Sequence, residues 1–200
     1  MAWSTEYCTK IPYVMNAMTL DSFHQMRRFI HLVNTSSLRR KGHPKWHPLQ
    51  KVQPMIDIAR ERLQAGWTLG KRICVDESMI KHMGKHISFV QHMPKKPTRH
   101  GLKVWALCDS VTGYLCNFEV CTGQGNVKDG TPKEVIHRLI GEAGLAGAIG
   151  RILHTDNFCT SREVMLHVYL TFGFLMVGTY ALTKKEQACS TCVSFRFFAE

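Results

Sequence analysis

The chain has 200 residues, 44% of them hydrophobic, with 26 Lys and Arg against 15 Asp and Glu and a formal charge of +11. That length and apolar content allow a buried core and mark a globular chain. The excess of cations excludes an acidic surface and points to a polyanionic partner, because net charge governs association and not fold.

Two helices are expected first. Phe23, Met26, Phe29, Ile30 and Val33 recur at helical spacing after Thr19, which can cap them. Val52, Met55, Ala59 and Leu63 repeat that spacing, with Pro54 near the start and Gly66 past the end. Residues 36–48 between them are basic, carry Pro44, Pro48 and Gly42, and read as a loop. The period then changes to two. Residues 73–79 and 87–92 read as a strand pair around Met83-Gly84-Lys85, and residues 102–108 as a third strand. The turn Asp109-Ser110-Val111-Thr112-Gly113 leads into a fourth, residues 114–121. Residues 124–130 form a glycine-punctuated loop without the spacing of a phosphate-cradling motif.

Thr131-Pro132-Lys133-Glu134 is a capping box with Pro at the first helical position, and Thr160-Ser161-Arg162-Glu163 reads as another. A strand ending at Asp156 lies between them, and a last one covers residues 174–179. The apolar run 164–180 is too short to span a membrane and is broken by His167 and Gly173, so no membrane partner is expected.

Asp76 and Asp156 are the candidate catalytic and metal-binding residues. Each ends a short β-branched run, Ile73-Cys74-Val75-Asp76 and Ile152-Leu153-His154-Thr155-Asp156. An aspartate closing a strand is most often a turn former or a helix cap. Carboxylates ending two buried strands are also how nuclease-type sites hold divalent ions, which need oxygen ligands in fixed geometry. Two stretches lack any acid. Residues 22–56 carry Arg27, Arg28, Arg39, Arg40, Lys41, Lys45 and Lys51; residues 78–108 carry Lys81, Lys85, Lys95, Lys96, Arg99 and Lys103. Cations so spaced suit phosphate contacts, which are salt-sensitive and independent of sequence; the other reading is a solvated basic face or an acidic protein partner. Cys189 and Cys192 form the one Cys-x-x-Cys pair, with no second ligand pair to complete a zinc site. His82 and His86 flank Gly84 and read as hairpin surface residues. The other cysteines fall mostly in strand-like runs, as free thiols of a reducing compartment do.

Five motifs occur in order: Val75-Asp76-Glu77-Ser78, Pro94-Lys95-Lys96-Pro97, Gly101-Leu102-Lys103, Asp109-Ser110-Val111-Thr112-Gly113-Tyr114 and Asp156-Asn157-Phe158. In this the chain resembles the piggyBac transposases and the host proteins derived from them, over roughly residues 19–183. The resemblance implies an α/β, ribonuclease-H-like mixed sheet of the DDE transposase type, incomplete at its C-terminal end and preceded by a small helical region. The implied division is 1–70 for a helical part of the dimerisation and DNA-binding region, 71–183 for a partial transposase core, and 184–200 for a divergent tail.

The family reaction is metal-dependent cut-and-paste DNA transposition, in which water and then a 3′-hydroxyl attack phosphodiester bonds. The resemblance implies Asp76 and Asp156 as catalytic and metal ligands for Mg²⁺ or Mn²⁺, and Lys95, Lys96, Arg99 and Lys103 as DNA contacts. It also implies a nuclear location, DNA as partner and a homodimer. Glu77 and Asn157 are expected to orient the site, and Asp109 to act structurally in its turn.

The third carboxylate of the family is not recognisable here, and Glu186 is a poor substitute. The expectation is a truncated, DNA-associating relative that binds metal weakly or not at all and is not catalytic alone. Two alternatives stand: an active fragment using Glu186 or a partner chain, and a domesticated protein-interaction module with relic aspartates. Open apolar surface is expected near residues 174–177.

Overall fold

The computed structural model describes residues 11–84, 87–94, 96–123 and 130–179. The chain divides into two compact units, Met1–Asp57 and Ile58–Glu200. The expected tail, Glu186 and the Cys189/Cys192 pair lie outside the described residues, as do Lys85, His86 and Lys95.

The first unit carries α1 (Pro12–Ala17), α2 (Leu20–Phe29), a short 3-10 turn (Thr35–Ser37) and the start of α3 (Gln53–Gly66). Helix α2 begins where Thr19 Oγ1 accepts the N–H of Ser22 at 3.1 Å. Asp21 in its first turn and Arg27 and Arg28 in its last complement the helix dipole. None of its residues is buried, and Met26, Phe29 and Ile30 of the apolar stripe are exposed. The segment read as a loop is tied back by Gln50. Its Oε1 accepts the N–H of Arg39 at 2.9 Å and its Nε2 donates to the Arg39 carbonyl at 2.8 Å.

The second unit is built on a six-stranded mixed sheet: β1 (Arg72–Lys81), β2 (Gln91–His92), β3 (His100–Asp109), β4 (Leu115–Val120), β5 (Ile152–Thr155) and β6 (Leu175–Gly178). The order is β2–β3–β1–β5–β6, with β4 also on β3. Strand β1 is antiparallel to β3 and parallel to β5, and β5 is parallel to β6. The parallel connections run through α4 (Pro132–Glu142) and α5 (Arg162–Phe172). A parallel neighbour needs a crossover of this kind, whereas the antiparallel strands need only turns. This is the expected ribonuclease-H-like mixed sheet.

Both helices cover one face. Val135, Ile136, Leu139 and Ile140 of α4 and Val164, Val168 and Phe172 of α5 form one core with Ile73, Val75, Leu107 and Leu153. Each fully buried aliphatic side chain contributes roughly 1.5–3 kcal/mol. Alternation then puts Cys74 and Asp76 of β1, and Ala106 and Cys108 of β3, on the opposite face. The α4 box forms as expected, with Thr131 Oγ1 and Glu134 each bonding the other's backbone N–H. Gly173 ends α5 in the left-handed conformation, φ 69°, that glycine adopts without strain.

Four sequence expectations need correction. Residues 87–92 do not pair with β1. Only Gln91 and His92 are strand, and they pair with Gly101 and His100 at the edge of β3. The cause is the turn after them: Met93 N donates to Arg99 O at 2.8 Å, and Pro94 and Pro97 confine the chain between. Asp76 does not end its strand but lies in the middle of β1. Helix α5 is capped by Ser161, whose Oγ accepts from Val164 N at 3.2 Å, while the hydroxyl of Thr160 donates to Asp156 O at 2.6 Å. Phe174 is fully buried and Leu175 and Met176 are half-buried, so the open apolar surface expected there is reduced, with Val177, 52% exposed, its most open residue.

Candidate metal and nucleic-acid site

Strands β1 and β5 run in parallel register, with Val75 opposite Thr155. Asp76 follows this pair within β1, and Asp156 follows it just past the end of β5. Both are exposed. Asp76 Oδ1 accepts the N–H of Glu77 at 2.7 Å. Asp156 Oδ1 accepts the N–H of Cys159 at 3.1 Å, which closes the turn after β5. The two carboxylates share a neighbour. Burial pushes the Cys159 thiol up to about 12, and the negative charges of Asp156, Asp76 and Glu77 push in the same direction.

Glu77, next to Asp76 on β1, points to the other side of the strand. Lys96 Nζ lies 3.1 Å from its Oε1 and Lys103 Nζ 3.3 Å from its Oε2. Burial alone would raise the Glu77 carboxyl. The hydrogen bonds from Lys96 and Lys103 outweigh it and hold the group below its usual range. Lys103 is buried. Its ammonium sits 4.4 Å from the Trp105 ring centroid and 5.6 Å from that of Phe158, and those rings stack at 6.0 Å. Phe158 follows Asp156 by two residues, so this stack fastens the Asp156 turn against the strand that carries Trp105. The sequence showed Phe158 only as a motif letter; its partner is set by the fold.

Of the candidate DNA contacts, Lys103 thus lies inside the Glu77–Trp105–Phe158 cluster, Lys96 is half-buried against Glu77, and Arg99 follows the turn before β3. The position of Lys95 is outside the described residues. Asn157 is exposed beside Asp156. Asp109 is removed from this group. Its Oδ2 accepts from Gly70 N at 2.8 Å and its Oδ1 from Val111 N at 2.8 Å and Thr112 N at 3.0 Å. Those backbone N–H groups, Gly70's foremost, hold its carboxyl down at about 2. This is the structural turn role expected of it.

Behind the aspartates, Cys74 faces Cys108 across β1 and β3. A hydrogen bond from Cys108 is the main influence lowering the Cys74 thiol to about 6, and the same contact drives Cys108 upward.

The chemistry of the donors can be tested against a divalent ion. Two exposed carboxylates offer the hard oxygen ligands that Mg²⁺ or Mn²⁺ takes, and such ions complete their shell with water. Asp76 and Asp156 are donors of that type. Among the described residues, no group of three or more His, Cys, Asp or Glu is placed to hold a metal.

The sheet order and the helical crossovers define the class: a ribonuclease-H-like fold of the DDE type. The family model described as Transposase IS4 matches residues 1–191, and the chain belongs to that transposase family. The resemblance to piggyBac read in the five motifs agrees with it. The piggyBac transposase in its synaptic complex with hairpin DNA shares the fold, with a TM-score of 0.73 at 23% identity, covering 86% of this chain and 35% of that one. The chain thus spans about a third of that protein's length. The Mos1 transposase in its paired-end complex with the left transposon end matches at a TM-score of 0.33 and 14% identity, covering 80% of this chain and 50% of that one.

Proposed function

We propose that this chain is a transposase-derived protein that associates with duplex DNA and holds one Mg²⁺ or Mn²⁺ ion at Asp76 and Asp156. The observation that supports the reading is the parallel β1/β5 register, whose last pair, Val75 and Thr155, is followed on each strand by one of the two aspartates. In a DDE-type site a divalent ion supplies charge stabilisation to the oxygens of a phosphodiester. The residues of this chain supply the rest. Asp76 and Asp156 bind the ion, Glu77 keeps Lys96 and Lys103 beside the site, and Lys95, Lys96 and Arg99 contact phosphates.

Glu77 tempers that basic rim. Lys96 is shared between a carboxylate and any phosphate that approaches, so affinity should be modest and salt-sensitive. With two matched carboxylates and no third anchor among the described residues, the reading is that the chain does not cleave or join DNA by itself, because two ions held in register are a harder requirement than one. A nuclear location and a homodimer belong to the same proposal.

The test is duplex binding across a salt series. Replacing Lys95, Lys96 and Arg99 together with Ala should weaken binding for all sequences alike and flatten the salt slope. Unchanged affinity and slope would make the rim a solvated face. In parallel, Mn²⁺ binding should be lost in Asp76→Ala and in Asp156→Ala. Metal-dependent nicking by the unaltered chain that disappears in both variants would overturn the claim of catalytic silence and make Glu186 the next residue to replace.

The second reading, a protein-interaction module with relic aspartates, is favoured by a separate observation. Met26, Phe29 and Ile30 put apolar surface on the outside of α2. Duplex binding that is absent at low salt would leave this reading in place.

A further inference from the structure

The face of the sheet opposite the helices carries a pair of thiols in the middle of the unit. Cys74 on the central strand β1 and Cys108 on β3 are direct register partners. Both are free and partly accessible. Their backbone relation follows from the ladder. Ser110 N donates to Arg72 O at 3.0 Å and His82 N to His100 O at 3.5 Å. Arg72 and Ser110, like His82 and His100, are opposite each other in the register. Every second pair between them is therefore a hydrogen-bonded pair, and Cys74–Cys108 is one of these. Residues so paired have Cα atoms about 5.5 Å apart, which falls within the separation that a disulfide spans. Alternation puts both side chains on the same face of the sheet.

We propose that Cys74 and Cys108 form an oxidisable dithiol, converted by a peroxide to a cross-strand disulfide and restored by a small-molecule or protein thiol. The inference is independent of the DNA-binding reading. In the first step one cysteine, as its thiolate, attacks a peroxide oxygen. A sulfur–oxygen bond forms, the oxygen–oxygen bond breaks, and hydroxide leaves and takes up a proton. In the second step the other thiol gives up its proton and attacks that sulfur. The sulfur–sulfur bond forms and the hydroxyl leaves as water. Two thiols and one hydrogen peroxide become one disulfide and two waters, with both sulfurs oxidised and the peroxide reduced. The bridge would staple the central strand to β3 two residue pairs along the ladder from Asp76, whose own partner is Ala106.

Other thiols set the comparison. Cys116 and Cys121 lie near Cys108 in sequence but are buried, as is Cys159. The experiment treats the reduced full chain with hydrogen peroxide, blocks remaining thiols by alkylation, and maps linked peptides by mass spectrometry without reduction. The expected result is a peptide from residues 73–81 linked to one containing Cys108, with the link assigned by fragmentation and reversed by dithiothreitol. It should vanish in Cys108→Ser and persist in Cys116→Ser. Cys74 left fully alkylatable after peroxide treatment, or a link from Cys74 that persists in Cys108→Ser, would overturn the proposal. The map of the unaltered chain decides the matter even if a serine variant fails to fold.

Discussion

Replacing Asp109 with Ala should destabilise the second unit by about 3 kcal/mol. The carboxylate is 3% exposed and accepts three backbone N–H groups, from Gly70, Val111 and Thr112, at 2.8, 2.8 and 3.0 Å. Two of these bonds shape the β3–β4 turn, and the third ties that turn to the segment entering β1. Each bond contributes a net amount of roughly 1 kcal/mol, more for a charged acceptor, and some of the released N–H groups will find water. Their sum near 3 kcal/mol corresponds to a fall in Tm of roughly 6–12 °C for a chain of this size. The assay is urea unfolding followed through the fluorescence of the buried Trp105, with a thermal scan beside it. The pH arm has a definite sign. The carboxyl is held at about 2 against its ordinary 3.8. The stabilisation is therefore present above pH 3.8 and is lost as the pH falls through 2. Asp109→Asn should flatten this acid loss while costing less at neutral pH, since the amide keeps one accepting oxygen. A loss below about 1 kcal/mol in the alanine variant would refute the hydrogen-bond argument. So would a loss of metal binding in a variant that remains folded, because Asp109 would then belong with Asp76 and Asp156.

Glu77→Gln should raise duplex affinity and steepen its salt dependence by releasing Lys96, while lowering stability by about 1–3 kcal/mol because the buried Lys103 loses its partner; gel-shift titrations and urea unfolding check the two effects. His137 Nδ1 and His167 Nε2 lie 3.1 Å apart between α4 and α5, and burial, then Lys133 and His137, lower the His167 pKa. Its neutral form is the one the fold accepts, so that contribution is intact above its ordinary value of 6.5 and fades as the pH falls below it. His167→Gln should reduce the drop in unfolding free energy between neutral and mildly acidic pH, and an unchanged drop would remove His167 from the cause. Leu139→Ala, at a fully buried site in the centre of the core, should cost about 2–5 kcal/mol in urea unfolding. Thr131→Ala should cost about 1 kcal/mol through loss of the α4 box.

The sequence by itself determined the features that local chemistry controls. Thr131 with Glu134 marked the start of α4, the Asp109–Gly113 turn marked the join of β3 and β4, and the alternating runs marked most strands. The five ordered motifs carried the family and the sheet type. What failed was pairing and sidedness. Residues 87–92 have the composition of a strand, but the proline-confined turn after them delivers only Gln91 and His92, and to β3 instead of β1. The cations of residues 78–108 form an acid-free block along the chain, yet Glu77, one residue outside it, meets two of them in space. Lys103 looked like a phosphate contact and is buried between that carboxylate and two aromatic rings. Periodicity records which side a residue faces on its own strand, and says nothing of which strand lies next to it. The order of strands across the sheet decides that. It is set by the crossover helices α4 and α5 burying one face in a common core, and that burial sets β5 beside β1.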